Sequence, residues 1–242
     1  RGGGSAFGES MPLGGSISLG HKAIFDAAVQ GAVMSPRYFR MAVYDRYDGA
    51  GWIRSADGSA TTEAFEVDLA EPSDLTVPVT QTIRTYRADA RQLYAMPQPS
   101  GFSLSTRAEV AMQDQHFDVL TVESQEPMPV GSVYQVVSRQ SVADVSNLSQ
   151  ARGPDPECAR ARYTELPDSV PERVLSLASD ITATADNRYD RAALLEAYLR
   201  GFAYSEEISD PPPDRDRVDW FLFDEQRGYC DYFSTSFVVL AR

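Results

Sequence analysis

The sequence is short of the residues that most often carry chemistry. Two cysteines, Cys158 and Cys230, and two histidines, His21 and His116, are all it holds in 242 residues. So few thiols exclude a disulfide scaffold, and a Cys158–Cys230 bridge is not expected. No apolar run approaches the roughly 20 residues of a membrane-spanning helix, and no basic stretch followed by an apolar one opens the chain. Positive charge is scarce too: 22 Lys and Arg against 35 Asp and Glu leave a net charge of −13. The acidic residues are spread along the chain, and such a surface repels phosphate backbones and anionic lipid, which excludes nucleic acid as a partner.

What is present is enough apolar content, 43% of residues, for one large core or two ordinary ones, and two domains are expected. Residues 1–20 are rich in Gly and Ser without a sustained period, the composition of an extended lead-in. Strand signals follow. Phe39, Met41 and Val43 alternate with Arg40, Ala42 and Tyr44, and a turn at "DGAG" comes next. Val77, Val79 and Ile83 repeat the alternation, with Pro78 pushing that strand toward a sheet edge. "HFDVLTVES" and "SVYQVVSRQ" complete a set that predicts an antiparallel, sandwich-like β domain of six to nine strands over residues 21–150.

The period then changes. In "SVPERVLSLASDITATA", Ser169 and Glu172 fit a capping box, and Val174, Leu177, Ala178 and Ile181 mark one helical face. A second helix carries Leu195, Tyr198, Leu199 and Phe202, with Gly201 as its stop signal. Pro211, Pro212 and Pro213 form a stiff connection into the last segment, so residues 151–242 read as helical and the chain as α+β. It begins at Arg1 without a methionine and ends inside an apolar pattern with no stop signal, so it reads as a piece cut at both ends.

That last segment, "FLFDEQRGYCDYFSTSFVVLAR", sets the functional question. A helix starting at Cys230 would place Phe233, Ser234, Phe237, Val238 and Ala241 on the cysteine's face, with the thiol turned inward. At a helix amino end the unpaired N–H groups and the macrodipole favour a thiolate and lower the thiol pKa. Gly228 allows a sharp turn and a close approach of substrate, and the N–H of Cys230 is positioned as an oxyanion donor. The competing reading of the same residues is a buried cysteine acting as a small hydrophobe. Cys158, in a polar linker with prolines, is expected to keep the ordinary thiol pKa of about 8.5.

"YDRAALLEAYLRGFAYS" followed by "VDWFLFDEQRGYCDYFSTSFVVLAR" resembles the catalytic core of bacterial transglutaminase-like proteins, and "YFRMAVYDRYDGAGW" resembles the segment that precedes it in membrane-anchored members. The resemblance implies that Cys230 is the nucleophile attacking a glutamine or peptide-like carbonyl. It implies a thioester intermediate resolved by an amine or water, and a papain-like core of which residues 151–242 are the first part. It also implies a bacterial, extracytoplasmic setting in a membrane-anchored parent, and a protein or peptide substrate associated with the cell wall. The family's His and Asp follow the cysteine, and here they would lie beyond Arg242. The two histidines present are upstream of it. The fragment is therefore expected to be inactive, with self-association through an uncovered C-terminal helix.

Other residues are weighed beside these. Tyr204, just after the second helix, is a candidate to line the thiol site or donate to the oxyanion, or else packs. Asp210, Asp214, Asp216 and Asp219 lack the glycine and terminal Glu of a calcium loop and read as a solvated acidic loop, so no metal is expected and no cofactor either. Tyr44, Tyr47 and Trp52 read as core aromatics rather than a stacking surface. The rival to an enzyme is a noncatalytic module whose β domain binds wall polymer or a protein partner.

Overall fold

The computed structural model describes residues 8–31, 38–64, 74–88, 90–113 and 116–242. In chain order its strands and helices are β1 (Ser10–Pro12), β2 (Phe25–Gln30), β3 (Arg46–Tyr47), β4 (Gly51–Ile53), β5 (Gly58–Thr62) and β6 (Thr76–Thr85). Then come β7 (Ala90–Gln92), β8 (Pro99–Phe102), β9 (Thr106–Gln113), β10 (His116–Met128) and β11 (Val133–Ser141). The helical part runs through α1 (Val145–Gln150), α2 (Glu157–Tyr163), α3 (Glu172–Thr182), α4 (Arg188–Leu199), β12 (Ala203–Tyr204) and α5 (Arg217–Trp220). A π turn (Phe221–Glu225), β13 (Arg227–Gly228) and α6 (Cys230–Ala241) follow. The chain is α+β, as its periodicities predict.

Two compact units divide it, and they interleave in sequence. Residues 21–43 and 55–143 form a β unit, while residues 1–20, 44–54 and 144–242 form the helical one. The β unit has two four-stranded antiparallel sheets, ordered β5-β9-β10-β7 and β2-β6-β11-β8. Their inner faces share one core, with Ile83, Tyr134 and Val136 from one sheet and Ala108, Val110, Val119 and Val122 from the other. Burying such side chains stabilises by about 1.5–3 kcal/mol each. Polar groups inside that core are satisfied: the Tyr134 hydroxyl donates to the Tyr94 carbonyl at 2.9 Å and accepts from the Tyr94 N–H at 2.7 Å.

Three expectations need correction here. The alternation at residues 39–43 does not make a strand: Arg40 and Ala42 form isolated bridges to Ala95 and Thr121, although Met41 is buried on the predicted side. β6 is not an edge strand but lies between β2 and β11; Pro78 is tolerated because the β2 partners of β6 run only from Thr80 to Thr85. Residues 8–20 are no loose lead-in either. β1 pairs with β4 in a three-stranded sheet, β1-β4-β3, and Leu13 is buried in the core of the helical unit.

In the helical unit, α3 starts at Glu172 after Pro171 with no side-chain cap, so the Ser169–Glu172 box does not form, yet Val174 is buried and Leu177, Ala178 and Ile181 pack beside it. On α4 the Asn187 side chain accepts from the Asp190 N–H, and Leu195 and Leu199 are buried. Tyr47 and Trp52 are buried in this core, with Tyr44 packed against it, as expected of core aromatics. The indole N–H of Trp52 donates to the Thr235 hydroxyl at 2.8 Å, which ties β4 to α6.

Candidate active site

The chain reaches α6 through a sharp reversal. The π turn ends at Gln226, which takes a left-handed conformation (φ 54°) and donates its N–H to the Phe221 carbonyl at 3.0 Å. β13 then runs parallel to β12, with Gly228 opposite Tyr204 and the Ser205 N–H donating to the Gly228 carbonyl at 2.7 Å. Glycine is required at 228 for packing rather than turning. A Cβ there would stand 2.9 Å from Phe221 and 3.1 Å from the Tyr232 Cβ, and Gly228 is not among the residues of positive φ.

Cys230 is the first residue of α6, after Tyr229 in extended conformation. No side chain caps this helix, unlike α1, α4 and α5, where Asp144, Asn187 and Asp216 accept from backbone N–H groups. The expected inward turn of the thiol is reversed: Cys230 is a free, exposed cysteine. The buried stripe of α6 is Tyr232, Thr235, Ser236, Val239 and Leu240, while the cysteine's own face has exposed Ser234 and Ala241 and half-buried Phe233, Phe237 and Val238.

The electrostatics are reversed as well. The thiol pKa is raised above its ordinary value, first by partial burial of the sulfur and then by the charge of Asp231 and the thiol's 3.4 Å hydrogen bond to Asp231 Oδ1. The backbone N–H groups of Asp231 and Cys230 pull the other way. The amino-end effect is thus real but outweighed by a neighbouring carboxylate that side-chain spacing alone did not bring forward. Cys158 sits in the first turn of α2 rather than in a helix-free linker.

Tyr204 is 61% exposed and stacks on Phe233 with ring centres 6.2 Å apart. Because Phe233 is one turn along from Cys230 on the same face, the structure brings Tyr204, Phe233 and the thiol's helix end to one neighbourhood. His21 and His116 belong to the β unit, not to the unit that holds Cys230.

The acidic cluster is not a solvated loop throughout. Asp216 caps α5, accepting from the N–H groups of Val218 and Asp219 at 2.9 Å and from the Tyr47 hydroxyl at 3.1 Å, and burial raises its pKa. Asp219, almost fully buried, accepts from Arg173 at 2.7 Å and from Arg215 at 2.6 Å, and the Arg173 hydrogen bond lowers its pKa. Missing from the sequence reading is this Arg173–Asp219–Arg215 cluster, which holds the start of the segment leading to Cys230. Arg215 and Asp219 are a local i,i+4 pair, but Arg173 lies 46 residues before Asp219 and leaves no local pattern. Among the described residues no group of His, Cys, Asp and Glu is arranged to hold a metal ion, and no helix is long and apolar enough to cross a membrane.

The sequence matches two family models. The TgpA N-terminal domain model covers residues 1–144, and the transglutaminase-like superfamily model covers residues 175–242, so Cys230 falls within the second. The chain belongs to the TgpA N-terminal domain family and continues into a transglutaminase-like segment. It is 29% identical over 221 residues to the uncharacterized protein YebA of Bacillus subtilis strain 168, across 85% of this chain and 29% of that protein. The chain thus spans 29% of the length of that curated relative. Two crystal structures of the periplasmic domain of TgpA from Pseudomonas aeruginosa share the fold at 20% identity. Both matches cover 97% of this chain. The one bound to ethylmercury is covered over 78% of its length with a TM-score of 0.57, and the other over 76% with a TM-score of 0.59.

Proposed function

We propose that this chain is the extracytoplasmic, nucleophile-bearing part of a bacterial thiol enzyme that transfers or hydrolyses acyl groups of glutamine or peptide amides. The observation that carries the reading is a free, exposed thiol at the first position of α6, inside the segment that matches the transglutaminase-like superfamily. Attack of the Cys230 sulfur on the amide carbonyl forms a C–S bond; collapse expels ammonia or an amine and leaves a thioester, which a second amine or water resolves. The uncapped N–H groups at the start of α6 suit an oxyanion. Tyr204 and Phe233 offer an aromatic surface beside the thiol for the substrate.

The raised thiol pKa leaves little thiolate at neutral pH, so the reaction needs a base to take the thiol proton and return it to the leaving amine. We place that base, a His oriented by an Asp, outside residues 1–242. By this proposal the 242-residue chain is inactive alone, and the whole protein is membrane-anchored with a wall-associated protein or peptide substrate. The extracytoplasmic assignment draws on the likeness to a periplasmic domain.

The test is ammonia release from glutamine-containing peptides by this chain and by the polypeptide extended through the sequence that follows residue 242. Turnover by the longer protein that Cys230→Ser abolishes is expected. Turnover untouched by that substitution, or none in the longer protein, would overturn the assignment.

A further inference from the structure

The two tyrosines that bracket Cys230 have their hydroxyls tied to the other end of the sequence. Tyr232 donates to the Gly14 carbonyl at 2.7 Å, and Tyr229 donates to the Gly15 carbonyl at 3.1 Å. Both tyrosines are buried, with 0% and 2% exposure, whereas Gly14 is exposed and Gly15 half-buried, so the hydroxyls are the partners with little water to turn to. The segment that supplies them is itself pinned on each side. Leu13 is buried and its N–H donates to the Ala50 carbonyl at 2.9 Å. The Ser16 hydroxyl donates to the Ile208 carbonyl at 2.9 Å and accepts from the Ile208 N–H at 3.0 Å, and the Ile17 N–H donates to the Glu206 carbonyl at 3.0 Å.

Its path is close enough to need glycine. A Cβ on Gly51 would collide with the Met11 carbonyl oxygen and stand 2.7 Å from the Pro12 Cα, both backbone, while one on Gly15 would displace the exposed Asp210 carboxylate. A stretch whose composition reads as a linker therefore crosses the unit in one ordered course, touching the loop after β12 and the first turn of α6.

We infer that residues 13–17 are a positioning strap for the nucleophile: by accepting the hydroxyls of Tyr229 and Tyr232, they fix the residue before Cys230 and the residue two after it. The inference rests on the reading of Cys230 as nucleophile. It adds that the thiol's setting is made by the start of the chain as well as by its own helix. α6 lacks a side-chain cap, so its first turn is free to fray. The strap supplies the restraint that a capping side chain gives α1, α4 and α5. The groups facing the sulfur are Asp231 and Tyr229, and the strap brings no charge of its own, so it acts on Cys230 by position.

The experiment compares the chain carrying Cys158→Ser with the same chain carrying Tyr229→Phe and Tyr232→Phe, together and singly. Amide hydrogen exchange at residues 230–233 and the pH profile of iodoacetamide alkylation are both measured. Loss of the two hydroxyls is expected to speed exchange at the first turn of α6 roughly tenfold, the change two such hydrogen bonds account for, while α4 is unaffected. The alkylation midpoint moves down toward the ordinary thiol value of about 8.5 as the sulfur leaves its fixed, partly buried setting.

Gly51→Ala, which displaces Met11 and Pro12 just ahead of the strap, shifts both readouts the same way and covers the case in which the double variant does not fold; protection at Thr235, which holds the Trp52 indole, is read beside it to show that the bond from β4 to α6 survives. Val174→Ala, a cavity on α3 in the same core, lowers the melting temperature but leaves the midpoint in place. An unchanged profile in the tyrosine variants, or a loss of protection spread evenly over the unit, overturns the strap. Turnover by the extended protein is scored separately: its absence would sink the enzyme assignment while a displaced midpoint would still establish the strap.

Discussion

Asp231→Asn isolates the group that sets the thiol's reactivity. The Cys230 sulfur lies 3.4 Å from Asp231 Oδ1, and the carboxylate disfavours the thiolate both by charge and by accepting the thiol's hydrogen bond. Cys230 is exposed as a residue while its sulfur is partly buried, so the dielectric of water sets the floor of the effect. Two unit charges about 4 Å apart then interact by about 1 kcal/mol, or roughly 0.7 of a pKa unit. Asparagine removes that charge while keeping the size of the side chain. The thiol midpoint should fall by that amount, and alkylation at a pH below both midpoints should speed up by about fivefold. Burial of the sulfur persists in the variant, so its midpoint stays above the ordinary value. Asp231 is also the acidic residue in the first turn of α6, so the same change should cost about 0.3–1 kcal/mol of stability through the helix dipole. Faster alkylation in a slightly less stable protein is a combination that general loosening produces only with loss of first-turn amide protection, which is measured alongside. The assay is iodoacetamide modification from pH 6 to 10 in a Cys158→Ser background, at low salt and again at ~0.5 M, where screening should narrow the difference. A midpoint that is unchanged or raised by Asp231→Asn would refute the assignment of Asp231 as the opposing charge.

The remaining predictions concern what holds the segment leading to the thiol. Asp219→Asn should destabilise the unit by about 2 kcal/mol in urea unfolding at pH 7, less than a fully buried pair because Arg173 and Arg215 keep 49% and 38% exposure and can hydrate. Its folded pKa is lowered, so its stabilisation is present above the ordinary carboxylate range near ~4 and lost as pH falls through and below it; the variant should lose that part of the acid dependence, and an unaltered acid limb would contradict the sign. Gly228→Ala should cost about 1–3 kcal/mol, measured by urea unfolding, because its Cβ meets the Phe221 ring at 2.9 Å and the Tyr232 Cβ at 3.1 Å; a neutral result would mean those side chains can yield.

Much of the fold was legible where one period governs one element. β6 and β11 alternate, and α3 and α4 carry their buried residues at helical spacing, since the same face meets a core along the whole element. Legibility failed where residues distant in sequence decide the outcome. Residues 39–43 alternate as a strand should, but their ladder pairing stops at the bridges Arg40–Ala95 and Ala42–Thr121, which reach two different neighbours. Pro78 signals an edge by its own chemistry, and whether that edge is real depends on where β2 stops. Residues 10–13 carry little local preference; β4 and the core around Leu13 impose their order.

The same division runs through the site. The helix start at Cys230 was legible because glycine and an apolar run frame it, but the side of α6 that faces inward was not. Two stripes compete on that helix: Cys230, Phe233, Phe237 and Val238, against Tyr232, Thr235, Ser236, Val239 and Leu240. By hydropathy the first wins, as its rival carries two hydroxyl residues and a tyrosine. The structure buries the second, although the Ser236 hydroxyl has no partner, because its two larger polar side chains find theirs: Thr235 takes the Trp52 indole N–H, and the Tyr232 hydroxyl reaches the Gly14 carbonyl. A tyrosine or threonine that satisfies its hydroxyl inside a core still brings its apolar body with it. Turning that stripe inward is what leaves Cys230 at the surface. An inward cysteine on the same helix would have been a small hydrophobe, and the exposure of Cys230 follows from the partners of Tyr232 and Thr235 rather than from the cysteine's own neighbours.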